Sequence, residues 1–502
     1  MADRIYTATT DTAWMAPSLA AARSALPILQ DARYSDDASL LLLLLSHLAA
    51  SERVPLALLF RGASPRRRWT LQGEVDDVDA LPQACREFWK QQALIVAYRA
   101  VPWKYLETIN TETPLFLPHL HYTLEASRST RFAHLPPETR VDLALTLVEA
   151  ARFPGMGWKR YVVAQAEAVA DTMPTSRYLD MCIAQIRCVL AQISGDLGEA
   201  MRGVEAAVAN NAGEQASVDT RLHAATGYAL IQKALTYIQE ERLDKAEECL
   251  ENWHSKDPER PSALESVVLF RQSMIWGRFL RFRGDFVEAR ARLREAQEQQ
   301  RNQSHRQLIS LDEELQDFTC DLADTLRELN ELEEAEQCLR TEIELRHRRQ
   351  NDENRALSPV DTTLLNLSLA EVMFARGRFQ DAKDLCLAVL SHPRPLRFTK
   401  LRAHIVLAKT RHVQGDHVAA FQFWTEALKD IAKFPFTYGY TTQVIIASAK
   451  DSMGRLGHID LVTISQKQLD GLSLRVVPQG AMQHWIAGMS QWQAYVLGQT
   501  TH

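Results

Sequence analysis

The chain has 502 residues, more than one ordinary globular core holds, so its length points to two or three domains or to a repeat array. Lys and Arg total 57 against 63 Asp and Glu, a net charge of −6, which argues against a protein that grips nucleic acid through its bulk field. The seven cysteines (Cys85, Cys182, Cys188, Cys249, Cys320, Cys338 and Cys386) are odd in number and include no CxxC pair, a pattern of reduced core thiols rather than of a disulfide or zinc framework.

The opening MADRIYTATTDTAW has no basic region followed by an apolar run, so no secretory signal is expected. Ala-rich pieces as far as about Gln30, with no clear stop, read as a helical or loosely ordered lead. The apolar run Leu40–Leu45 is stopped by Ser46 and His47, well short of the roughly 20 residues a membrane span needs. A cytoplasmic chain without membrane contact is therefore expected. A leucine-rich helix through Leu48 is followed by the turn VPLALLFRGASPRRRW at Val54–Trp69 and later by FLPHLHYTLEASR at Phe116–Arg128. On these residues the stretch resembles the winged-helix region of fungal NLR-like (NB-ARC or NACHT) proteins that carry tetratricopeptide arms. The P-loop string GxxxxGK[ST], whose glycines wrap phosphate and whose lysine reaches it, is absent from the whole sequence, so ATP hydrolysis is not implied.

Three polar clusters in this region invite a chemical reading. Arg66–Arg68 with Trp69 offers a basic patch for phosphate or an acidic partner, though a short charge run after Ser64-Pro65 is ordinarily solvated surface. His119 and His121 would share a face on a strand, but Glu107, Glu112 and Glu125 form no HExxH arrangement with them, and no metal site is expected. Asp76, Asp77 and Asp79 read as a polar turn, with Asp79 as the N-cap of a helix starting near Leu81.

From about Leu143 the text is almost continuously helical. Ser273–Gln299 divides into two helices about a glycine hinge, with Gly277, Leu280, Gly284, Phe286, Ala289, Leu293 and Ala296 at the places where a helical hairpin needs a small or apolar side chain. This stretch resembles a tetratricopeptide repeat (TPR) unit. Second-helix small residues recur at Ala200, Ala246, Ala289, Ala335, Ala382, Ala420 and Val462, separated by 46, 43, 46, 47, 38 and 42 residues. These steps exceed the about 34 of the simplest such repeat. First-helix partners recur at Cys188, Ala234, Gly277, Ala323, Ala370 and Ala408, and a glycine turn precedes five anchors, at Gly195, Gly284, Gly377, Gly415 and Gly457. Glu241 and Asn330 stand where two further glycines would be, which weakens those copies. The expectation is an all-α, right-handed TPR-like α-solenoid at 136–465, preceded by a winged-helix-like module at 1–135 and closed by a capping helix at 466–502.

A stack of hairpins curves around an inner groove, and the resemblance places first-helix residues along it. These are Tyr228, Ile231 and Leu235, then Arg271, Arg278 and Arg281 with Met274, then Asp317 and Asp324 with Cys320. Leu364, Leu367, Glu371 and Phe374 follow, and then Arg402, Lys409 and His412. The alternation from apolar to basic to acidic suits an extended peptide of matched charge or a partner protein, with self-association open and nucleic acid disfavoured. The same residues could instead form a solvated face or lie under the chain's own termini. No Lys–Asn set suited to a terminal carboxylate occupies these positions. Met482, Trp485, Ile486, Met489, Trp492 and Val496 share a helical stripe that reads as the terminal cap, and Trp276 and Trp424 read as core. Asp321–Glu336 reads as a charged outer face. No GxGxxG, GxSxG or Cys–His metal spacing is present. No catalytic residue and no cofactor is therefore assigned, and the function expected is a non-catalytic scaffold or adaptor. The alternatives are an NLR-derived regulator without its ATPase, or a helical accessory protein or enzyme of fungal secondary metabolism.

Overall fold

The computed structural model describes residues 44–45, 47–48, 54–63, 66–78, 89–107, 113–127, 132, 135–153, 155–174, 176–194, 197–210, 219–304, 309–352, 361–392, 397–434, 439–456 and 484–498. The copies anchored on Val462, the turns at Gly195 and Gly457, the Asp79 cap, the helical lead and Cys85 lie outside these residues. The described residues hold nineteen helices and one β-hairpin. They fall into two compact units, one of 1–232, 255–267 and 306–310, the other of 233–254, 268–305 and 311–502.

The first unit contains α1 (Leu56–Ala63), strands β1 (Arg66–Trp69) and β2 (Val75–Val78), α2 (Trp89–Arg99), α3 (Thr113–Ser127), α4 (Pro137–Ala150), α5 (Met156–Ala170), α6 (Arg177–Ser194), α7 (Leu197–Asn210) and most of α8 (Thr220–Gln239). The basic run and the acidic cluster are the two strands of one antiparallel hairpin, with Arg67 opposite Asp77 and Arg68 opposite Asp76. Gly73, at φ 76°, turns the chain between them. The tip then serves the helices behind it: the Leu71 carbonyl accepts the Arg221 N–H at 3.1 Å, and the Gly73 carbonyl accepts the Leu264 N–H at 2.8 Å. Both donors stand in first turns, where helix N–H groups lack partners within the helix.

Arg66 and Arg68 do not form a solvated patch. Both are buried; Arg66 pairs with Glu107 at 2.8 Å, and Arg68 pairs with Asp142 at 2.5 Å and lies 4.1 Å from the centre of the Trp103 ring. Trp103 in turn donates from Nε1 to Thr146 Oγ1 at 2.9 Å, so the hairpin is fastened to α4 by charge, ring and hydroxyl together. The two histidines are on helix α3, where a spacing of two turns them about 200° apart. His119 is fully buried and His121 is exposed against Tyr161, so the pair shares no face. The buried Glu265 carboxylate accepts the N–H groups of Lys256 and Ser262 and touches His223. These contacts outweigh the burial that would raise it and hold it down at about 2.

The second unit holds α9 (Leu243–Glu251), most of α10 (Ala263–Arg283), α11 (Phe286–Ser304), α12 (Asp312–Glu328), α13 (Leu332–Asp352), α14 (Thr363–Ala375), α15 (Phe379–Leu390), α16 (Arg397–Val413), α17 (His417–Ile431), α18 (Gly439–Leu456) and α19 (Met489–Val496). The end of α8 with α9, and the pairs α10–α11, α12–α13, α14–α15 and α16–α17, each join through the same turn. At Gly284, Gly377 and Gly415 the backbone is left-handed, and Glu241 and Asn330 adopt that conformation too, with φ of 62° and 60°. In all five, the N–H of the left-handed residue bonds to the carbonyl three residues back. The next N–H bonds to the carbonyl five residues behind it, as from Arg242 to Tyr237, Asp285 to Leu280 and Glu331 to Leu326. The copies without glycine are therefore geometrically whole, at the steric cost an L-residue bears in this conformation.

The small residues fall where the helices of each pair meet. Ala246, Ala289, Ala335, Ala382 and Ala420 are fully buried, as are Ala234, Ala323, Ala370 and Ala408. At Gly277 the helices approach so closely that a Cβ there would lie 2.5 Å from Leu293 Cγ and 3.3 Å from the Ala289 carbonyl oxygen. Burial also raises the thiols, Cys338 to about 11 and Cys182 of the first unit to about 12, so they stay protonated and unreactive at neutral pH.

Gly277→Val should lower stability by about 2 kcal/mol through overpacking against the buried Leu293. Gly454→Ala on α18, where an added Cβ meets nothing within 4 Å, should raise it by about 0.5 kcal/mol through helix propensity. Urea denaturation followed by circular dichroism checks both signs.

Candidate functional site

In the second unit the first helices of successive hairpins lie side by side, and the residues expected to line a groove can be placed individually. Arg271 is buried and paired with Glu314. Arg278 is half-buried, donating from Nε to the Asp321 carboxylate at 2.9 and 3.1 Å, with Asp317 3.9 Å from its Nη2. Arg281 is buried against the same Asp321 at 3.3 Å. Asp324 receives Arg402 at 3.1 Å, both buried, with Ser368 Oγ also within 3.3 Å of the guanidinium. Lys409, wholly excluded from solvent, contacts both oxygens of buried Glu371 at 2.7 and 2.8 Å. Burial lowers its pKa, with Glu371 acting in the opposite sense. Leu235 is half-buried in this unit. Tyr228 and Ile231 belong to the first unit, where Ile231 is core and the Tyr228 hydroxyl lies 3.5 Å from Lys104 Nζ.

The charges of the inner faces thus neutralise one another. The basic stripe 271, 278, 281 on α10, at steps of seven and three residues, meets an acidic stripe 314, 317, 321, 324, 328 on α12, at steps of three and four. Asp321, Asp324 and Glu328 belong to that inner stripe, which corrects the reading of Asp321–Glu336 as an outer face; only its later carboxylates, such as Glu333, are exposed. Glu314, Asp321 and Glu328 were not picked out among the groove residues, although 321 and 328 follow Asp317 and Asp324 by one helical turn.

Residues 484–498 rest on these same helices. Met482, the first residue of the expected stripe, lies outside the described residues; within them Trp485 and Ile486 precede a left-handed Gly488, at φ 76°, and a helix runs from Met489 to Val496. Its contacts reach well beyond the last hairpin. The His484 N–H donates to the Phe282 carbonyl at 2.9 Å, and Arg281 Nη1 donates to the carbonyls of His484 and Trp485 at 3.0 and 3.4 Å. Glu328 accepts the Gly488 N–H at 2.6 Å, and Arg327 donates to Gln491 Oε1 at 2.5 Å. Trp485 lies between Phe398 and Phe434, ring centres 5.0 and 5.8 Å away. Trp492 meets Phe374, Trp424 and His412, and its Nε1 donates to Ser448 Oγ at 2.8 Å. Trp424 is core as expected, and Trp276 is half-buried with Arg292 over its ring.

Ser452, His412 and Asp451 are close together, with Ser452 Oγ 3.0 Å from His412 Nδ1 and Asp451 2.8 Å from Nε2. Ser452 is fully buried and its hydroxyl also bonds to the Ser448 carbonyl, so the trio holds α16 to α18 rather than facing a substrate. In the first unit a cleft of about 1030 Å³ lies among α5, α6 and α7. Val163, Ile183 and Ala184 line it, as do Glu167 and exposed Arg187, which pair at 3.4 Å. Among the described residues no group of His, Cys, Asp and Glu could hold a metal ion, and no helix is long and apolar enough to cross a membrane.

A family model for the tetratricopeptide repeat matches residues 277–295, the span from Gly277 on α10 into α11. No curated protein matches the chain.

Lys409→Met alone should cost about 3 kcal/mol, because it strands a buried carboxylate; adding Glu371→Leu should recover most of that loss, as both charges are then gone. Denaturation of the single and double variants measures this. Burial lowers the pKa of His412, outweighing Asp451, and that of His484, beside Arg281; both touch or belong to the 484–498 segment. The stability their neutral forms contribute is complete above the ordinary histidine pKa of about 6.5 and is lost as pH falls from there through their lowered values. Amide-exchange protection of 484–498 should therefore fall between pH 7.5 and 5.5, and the fall should flatten in His412→Gln/His484→Gln.

Proposed function

We propose that this protein is a non-catalytic interaction module, a scaffold or adaptor whose tetratricopeptide-like hairpins hold a partner protein or peptide. The observation that carries the reading is the repeat match at 277–295, on a hairpin whose turn and small-residue contacts recur in its neighbours. Tetratricopeptide arrays generally bind proteins or peptides, and the stacked hairpins offer a long face for doing so. Of the residues assigned to the groove, Leu235, Arg278, Asp317, Leu364 and Phe374 of the second unit keep partial solvent access, so a partner can touch them, as does Tyr228 in the first unit. A right-handed coil of the hairpins and a cytoplasmic, membrane-free role are part of the same proposal. A winged-helix-like N-terminal module is a further part of the proposal, in keeping with the order helix, hairpin, helices from Leu56 onward.

Affinity purification with the full chain, followed by reconstitution from purified components, tests the reading. Arg278→Gln and Asp317→Asn should weaken retention of the partner by at least about fivefold, the effect of losing a central contact, with unchanged helical content. A folded chain that retains no polypeptide, or retention indifferent to both changes, would count against it.

A further inference from the structure

The 484–498 segment has the character of a bound ligand as much as of a core element. From His484 to Gly498 it contains no Asp, Glu, Lys or Arg. Its polar contacts with the inner helices are made largely through its own backbone: the His484 and Gly488 N–H groups are accepted by Phe282 and Glu328, and the His484 and Trp485 carbonyls are held by Arg281. Two tryptophans fill two aromatic sockets, Trp485 between Phe398 and Phe434 and Trp492 among Phe374, Trp424 and His412. A Cβ on Gly488, at φ 76°, would come within 2.3 Å of the Arg327 guanidinium carbon, so any other residue there strains the turn between the sockets and displaces Arg327. In sequence, 27 residues (457–483) separate the segment from the end of α18 at Leu456.

We infer that residues 484–498 occupy in cis a peptide site on the inner helices, and that the partner of this site is an uncharged amphipathic segment with two tryptophans flanking a glycine turn. This rests on the interaction-module reading and replaces its charge-matched peptide. Arg271, Arg278, Arg281, Arg402 and Lys409 already have carboxylate partners, so a charged peptide would meet a floor with no net charge to offer, whereas the sockets and the backbone-binding Arg281 and Glu328 suit an aromatic, neutral one. A tethered segment competes at an effective concentration that a free one in solution does not reach, so occupancy in cis lowers the apparent affinity for any partner.

The probe is a labelled synthetic peptide of residues 484–498, titrated by fluorescence anisotropy against full-length wild type and two full-length release variants. Trp492→Ala empties one socket, and Gly488→Ala drives the turn against Arg327. Expected is saturable one-to-one binding to both variants at least about tenfold tighter than to wild type, with circular dichroism and melting showing the hairpins intact. Variants that stay folded yet bind no better than wild type overturn the inference. So do variants that lose the cooperative fold, since the segment is then part of the core. A wild-type chain that dimerises with concentration and exchanges this segment between copies would assign the site to a second copy and overturn the partner proposed. Tight binding of the peptide with no polypeptide retained in the affinity test would leave this inference standing and remove the functional reading. Retention that responds to Arg278 and Asp317 with no peptide binding would do the reverse.

Discussion

The second unit is organised by opposite charges buried between neighbouring helices. An unpaired arginine or carboxylate at the exposure of Arg281 or Asp321 would cost several kcal/mol, so α10 can lie against α12 only in the register that brings 271 to 314 and 278 and 281 to 321. Arg402 extends the same constraint across α14, reaching from α16 to Asp324 of α12. Such pairs add little net stability beside the apolar burial around them. Their contribution is choice: they decide which helix meets which, and at what height.

Apolar and small residues then close the distance. Gly277 admits Leu293, and the alanines on facing helices leave no gap, so each hairpin is a unit that cannot bury itself and must lean on the next. The left-handed turn at each hairpin's tip shows how little sequence such a unit needs. Glycine, asparagine and glutamate all hold the same pair of backbone bonds, because the bonds depend on the path of the main chain and tolerate a Cβ at modest cost.

Much of this could be read from the residues alone. The spacing of Ala246, Ala289, Ala335, Ala382 and Ala420 placed the second helices, and Gly284, Gly377 and Gly415 marked the turns. Glu241 and Asn330 were underrated because backbone conformation was inferred from side-chain identity. Arg66–Arg68 and Asp76–Asp77 were read as separate surface features because a hairpin joins residues about ten apart and leaves no periodic signal in so short a run. The groove charges were found one helix at a time, and periodicity along a helix says which side a residue takes but not what stands opposite. Trp485 and Trp492 show the same limit: their apolar character was plain, while the helices they touch lie up to about two hundred positions earlier.

One contact changes what kind of object the second unit is. Glu241, in the tip of its first hairpin, accepts the N–H of Gly439 at the start of α18, 198 residues later. An open row of repeats frays from its ends and melts piecemeal, since each member knows only its neighbours. Here the tip of the unit's first hairpin is joined to α18, and Arg402 and Arg281 add further cross-links. Loss of any one hairpin is therefore felt around the whole circuit, and assembly waits on contacts between distant parts of the chain, as in a globule of high contact order rather than a row of independent links.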